Sequence, residues 1–66
     1  MDYVEIEARV VAKTDLALLI EADGEEAWIP FALIDEAASD LGKDSERGDR
    51  GLLVIPEWLV EEKGIE

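Results

Sequence analysis

Sixty-six residues allow one domain, near the lower limit at which a hydrophobic core holds a chain folded without disulfides or metals. With no cysteine and no histidine, a disulfide framework, thiolate chemistry and the usual zinc, haem and iron–sulfur ligand sets are excluded. Eighteen acidic against six basic side chains give a net charge of −12, which repels nucleic acid and anionic lipid and draws basic surfaces over about a Debye length.

Direct nucleic-acid and membrane binding are therefore not expected. An apolar fraction of 48% is ordinary for a globular protein, so the charge does not imply disorder. Met1-Asp2-Tyr3-Val4-Glu5 lacks the basic and apolar segments of a signal peptide, and no apolar run reaches the roughly 18 residues of a membrane span. The expectation is a cytoplasmic protein, and a monomer.

From Val4 to Ala12, apolar Val4, Ile6, Ala8, Val10 and Ala12 alternate with Glu5, Glu7 and Arg9, the period of a half-buried strand. Lys13-Thr14-Asp15 reads as a turn, and Leu16, Leu18, Ile20 and Ala22 continue the alternation in a second strand. Matching the two apolar faces across a three-residue loop sets Ala12 opposite Leu16, Glu7 opposite Glu21 and Glu5 opposite Asp23. Asp23-Gly24 tolerates the positive φ of a type I′ hairpin, so Glu25–Ile29 forms a third strand with Glu21 opposite Glu26 and Leu19 opposite Trp28.

Pro30 ends that strand and opens a helix along the stripe Phe31, Ile34, Ala38 and Leu41, with Gly42 at its C-terminus. Lys43–Arg50 contains no hydrophobic residue and reads as an exposed, mobile loop. Gly51–Ile55 is a fourth short strand, and its continuous apolar run Leu52-Leu53-Val54-Ile55 suggests burial on both faces. Pro56 then starts a second helix with Glu57 in its first turn, and Gly64 followed by Ile65 suits a Schellman ending. The fold class is α+β: a small four-stranded, mostly antiparallel sheet with two short helices, in the order β-β-β-α-β-α.

No catalytic residue is expected. Ser39, Ser45 and Thr14 are the available hydroxyl nucleophiles, and none has a base beside it in the sequence; near helix ends and in turns such hydroxyls bond the local backbone. Asp44-Ser45-Glu46-Arg47-Gly48-Asp49 departs from a calcium loop in its glycine and terminal glutamate, and Arg47 would disturb the shell, so neither a metal site nor a cofactor is expected. Trp28, Trp58, Tyr3 and Phe31 are read as core, because so small a core needs their area.

The acidic surface remains. In the register above, Glu5, Glu7, Glu21, Asp23 and Glu26 project from one side of three strands, with Glu7, Glu21 and Glu26 nearly in a row. Asp35, Glu36 and Asp40 on the first helix and Glu57, Glu61 and Glu62 on the last extend it, and these residues together form the expected partner-binding set. A chain of this length spans roughly 28 Å. An equal length of duplex carries on the order of 16 phosphates, so twelve net charges approach the charge density of DNA.

In size, charge, lack of cysteine and histidine, and the order hairpin, helix, strand, helix, the chain resembles the small phage-encoded anti-CRISPR proteins, in particular an inhibitor of a type I-C system. The segments that carry the likeness are Leu18–Pro30 (LLIEADGEEAWIP) and Ile55–Ile65 (IPEWLVEEKGI). These proteins share no common motif, so the resemblance transfers no site residue. It implies a non-enzymatic inhibitor that mimics DNA and blocks the DNA-binding surface of a CRISPR effector subunit. Two alternatives stand beside it: an antitoxin-like or accessory module for another basic protein, and an acidic housekeeping domain of a halophile, which the presence of only three lysines also fits.

Overall fold

The computed structural model of the chain describes residues 2–65. The fold is α+β, with four strands, a single turn of 3-10 helix and one α-helix: β1 Tyr3–Lys13, β2 Ala17–Ala22, β3 Glu25–Pro30, the 3-10 turn Phe31–Leu33, β4 Arg50–Pro56 and α1 Glu57–Lys63. All strand pairs are antiparallel, in the order β3-β2-β1-β4. The first three strands form a meander. β4 then returns to the other flank of β1, the placement that the sequence left open.

Alternation decides which face is dry. Ala8, Val10, Leu18, Ile20, Ala22, Ala27, Ile29, Leu53 and Ile55 lie on one side of the sheet and are buried there together with Phe31, Ile34, Leu41, Leu59, Val60 and Ile65 from the connecting segment and α1. The opposite face carries no helix.

The register of the first hairpin departs from the expected one. A β-bulge at Val11 puts an extra residue between Val10, which faces Ile20, and Ala12, which faces Leu19. Beside the loop the pairing is moved by three residues, and the bulge takes one back, so that from Val10 on it is moved by two and Arg9 rather than Glu7 lies opposite Glu21. Glu5 faces Val54 of β4 and not Asp23. The alternation in β1 and β2 fits both registers up to Val10, because a shift of two keeps every side chain on its face.

The loop sets the choice. Thr14 closes it by accepting the N–H groups of Leu16 and Ala17 at its Oγ1, leaving Leu16 outside β2 and 81% exposed, not buried opposite Ala12. The second hairpin is as expected: Asp23 (φ 54°) and Gly24 (φ 84°) turn with positive φ, Glu21 pairs with Glu26 and Leu19 with Trp28.

The first expected helix does not form. Phe31, Ile34 and Leu41 are buried as its stripe required, but Ala38 is exposed and Ile34 is extended (φ −92°, ψ 129°). The segment runs instead along the free edge of β4. There the Asp35 N–H donates to the Val54 carbonyl (2.9 Å), the Val54 N–H to Ser39 Oγ (2.8 Å), the Asp40 N–H to the Leu52 carbonyl (2.8 Å) and the Leu52 N–H to Asp40 Oδ2 (2.9 Å). An isolated helix of that length is marginal, while Ser and Asp readily bond backbone groups in non-helical conformations. Covering an edge strand wins.

Residues 43–50, expected to lie free, are tied down by polar contacts. Ser45 is buried and accepts the Gly42 N–H (2.9 Å), Asp49 Oδ2 accepts the Glu46 N–H (2.9 Å), and Val10 exchanges bonds with Gly48 and Asp49 (2.9 and 2.8 Å). At the other end α1 closes as expected. Gly64 is left-handed (φ 69°, ψ 33°), the Ile65 N–H reaches back to the Val60 carbonyl (3.3 Å), and Ile65 is buried.

Candidate binding surface

Glu5, Glu7, Glu21 and Glu26 do share the uncovered face of the sheet, and all but the half-buried Glu21 are exposed. They do not make an acidic row. The register places Arg50, Arg9, Glu21 and Glu26 side by side across β4, β1, β2 and β3. Arg9 donates to Glu21 Oε1 from Nε (3.2 Å) and Nη2 (2.9 Å), the one ion pair among the described residues. Glu7 lies on the neighbouring row, opposite Leu52, and Asp23 sits in the turn beyond.

Two arginines thus divide the carboxylates of this face. Arg9 could have been found from sequence, since it stands two residues beyond Glu7 on the same side of β1. Arg50 lay in a stretch that gave no strand signal.

Asp35, Glu36 and Asp40 are exposed but lie on no helix. Asp40 holds the Leu52 N–H, and Glu36 Oε2 accepts the Lys43 N–H (3.0 Å). Gly51 sits against this clamp, and a Cβ added there would lie 2.6 Å from Asp40 Cβ. These side chains hold backbone first and offer charge second. Glu57, Glu61 and Glu62 are where expected, exposed on α1; Glu57 and Glu61 are one turn apart.

The aromatic residues correct the expected core. Phe31 is buried, but Trp28, Trp58 and Tyr3 are 42%, 44% and 50% exposed. Trp28 lies on the uncovered sheet face beside Leu19, and Leu52 is exposed on the same face at β4. Leu53, Val54, Ile55 and Pro56 are buried, so β4 is covered on both faces from Leu53 to its end, while Leu52 is exposed. A core built from aliphatic Leu, Ile and Val left the indoles outside. Exposed indoles are frequent anchors of protein–protein contacts.

The hydroxyls are engaged with backbone: Thr14 with Leu16 and Ala17, Ser39 with Val54 and Ser45 with Gly42. Among the described residues, no group of three or more carboxylates is gathered closely enough to hold a metal ion. No helix among the described residues is long and apolar enough to cross a membrane. Neither a family model, nor a curated protein, nor a solved structure matches the chain. The surface must speak for itself.

Proposed function

We propose that this chain is a non-enzymatic acidic binding protein that occupies a cationic, nucleic-acid-binding surface of a partner, acting as an inhibitor in the bacterial cytoplasm. The observation that carries this reading is the state of its carboxylates: apart from Glu21, every described one is solvent-exposed and none is paired with a cation. A surface so little neutralised by its own chain is fitted to be neutralised by another. Its extents of 27 × 25 × 18 Å suit a groove that accepts a duplex, and 27 Å of DNA would carry about 16 phosphates.

The narrower form of the reading is a DNA mimic directed at a CRISPR effector subunit of type I-C. The test is competition: a purified effector is loaded with guide and incubated with labelled target duplex and increasing amounts of this protein. Expected is displacement of the duplex, competitive in DNA, with an apparent Kd that weakens steeply as salt rises. Unimpaired duplex binding at large molar excess would reject the effector as target.

Exposed Trp28 and Trp58 favour a second reading, an antitoxin-like or accessory module seated on a basic partner, because a phosphate mimic has no use for indoles. Such a module would bind its partner whether or not DNA is present.

A further inference from the structure

We infer that the N-terminal half of β1 is a docking edge that accepts one extended, cationic segment of a partner as a fifth strand. β1 spans eleven residues, but its two neighbours share it unequally. β4 pairs with Tyr3 through Arg9, whereas the pairing with β2 begins only at Arg9. On the β2 side, Ala22 is the last residue of β2 and lies next to Ala8, so Tyr3–Glu7 has no strand beside it. At about 3.4 Å per residue this opening is some 14–17 Å long.

Hydrogen-bond parity shows what that opening presents. Val10 exchanges its bonds with Gly48 and Asp49, on the β4 side. The N–H and C=O groups of Val4, Ile6 and Ala8 therefore point to β4 as well, and those of Tyr3, Glu5 and Glu7 point the other way. The far side of β4 agrees, since Leu52 and Val54, which face Glu7 and Glu5, turn their own backbone groups outward to Asp35, Ser39 and Asp40. The edge-facing backbone groups of Tyr3, Glu5 and Glu7 have no hydrogen-bond partner among the described residues.

Residues 35–40 cover the outer edge of β4. β3 is an edge strand too, and since Phe31 bonds back to Leu16 the backbone groups of Glu26 and Trp28 turn outward, but that edge is short and ends on Pro30, which has no N–H to offer. The opening on β1 is the longer of the two.

Charge and burial fix the occupant. On the outer face the edge is flanked by exposed Glu5 and Glu7, so an added strand gains from cations beside them. On the inner face lie Val4 and Ile6, half-buried against the core, so the alternate positions call for apolar side chains. A second copy is disfavoured, because it would set Glu5 and Glu7 against their own counterparts. The partner segment alternates Lys or Arg with Val, Ile or Leu, and main-chain bonds hold it in the manner of strand addition. This inference rests on the reading above that the partner is cationic, and adds the backbone geometry.

The probe is an eight-residue capped peptide of alternating lysine and valine, titrated into the full chain and followed by amide NMR. Two further peptides carry N-methyl groups on the lysine amides or on the valine amides, at unchanged charge. Expected is binding of the parent with new exchange protection at Tyr3, Glu5 and Glu7. One methylated peptide should bind at least tenfold more weakly and the other about as well as the parent, because a docked strand uses the amides of one edge only. In E5Q/E7Q the parent should bind several-fold more weakly. Equal affinity for all three peptides would show attraction of charge alone and overturn the inference, as would protection elsewhere or no binding. Protection of the same amides on concentrating the protein without peptide would overturn it in favour of self-pairing. If the peptides fail while the effector competition succeeds, the cationic partner stands and this edge is not its seat.

Discussion

Gly51 and Asp40 illustrate how little freedom a 66-residue fold leaves its charged residues. Any side chain at position 51 meets Asp40 Cβ at 2.6 Å, and Asp40 cannot move aside without releasing the Leu52 N–H. G51A should therefore cost about 1–3 kcal/mol, the range of overpacking in a filled site, measurable as a shift in the urea midpoint. Ser39 is the stronger clamp, because the Val54 it caps is buried. S39A strands that N–H and should cost about 1–3 kcal/mol, and an unchanged midpoint would show that water replaces the hydroxyl. Charge reversal needs the same care. E21K would break the Arg9 pair and put a third cation beside Arg9 and Arg50, so it should destabilise the fold. E7K/E26K leaves that pair intact and is the cleaner probe of the sheet face: stability should hold within a few tenths of a kcal/mol while partner binding falls.

Among the elements, α1 depends most on tertiary support. Seven residues are too few for an autonomous helix, so its stability comes from Leu59, Val60 and Ile65 reaching the sheet. I65A should cost about 2–5 kcal/mol, as for other buried aliphatic truncations, and thermal unfolding followed by far-UV circular dichroism would show it. A loss below 1 kcal/mol would mean that the helix is held by its end geometry alone. The elements legible in the sequence were those whose signal is local. Alternation marked the faces of β1 and β2, Asp23-Gly24 fixed the second hairpin to the residue, and Gly64-Ile65 marked the end of α1. Illegible were features decided by distant backbone. Phe31, Ile34 and Leu41 are spaced for a helix, yet the need to cover β4 drew Ser39 and Asp40 into another conformation. Nothing in Val10-Val11-Ala12 announces a bulge, and with it went the expected glutamate row. The acidic residues were readable as exposed, and Arg9 among them too; that Arg50 joins it was readable only once β4 had a place.

At the scale of the whole molecule, −12 charges on a body with a radius of gyration of 10.2 Å repel one another with little internal compensation. Screening should relieve this strain, so Tm should rise as sodium chloride is raised from about 10 mM to 0.5 M, where the Debye length falls below about 5 Å. A flat Tm would mean that the charges are too dispersed to matter. Outright unfolding at low salt would favour the halophile alternative, in which acidity serves solubility and no partner is needed.

The position of β4 beside β1 also governs the order in which the molecule can assemble. The meander of β1, β2 and β3 closes through loops of a few residues and can form early, but Tyr3 meets Pro56 only after more than fifty residues of chain have been brought back. Until then one flank of β1 has no neighbour over most of its length, and neither the segment at residues 35–40 nor α1 has a finished sheet to rest on. Loop closure of that size precedes any reward from pairing, so folding should be slow for a chain this small, in milliseconds to seconds rather than microseconds. Stopped-flow refolding of W28F, in which Trp58 two residues beyond β4 is the remaining indole, would time that last closure.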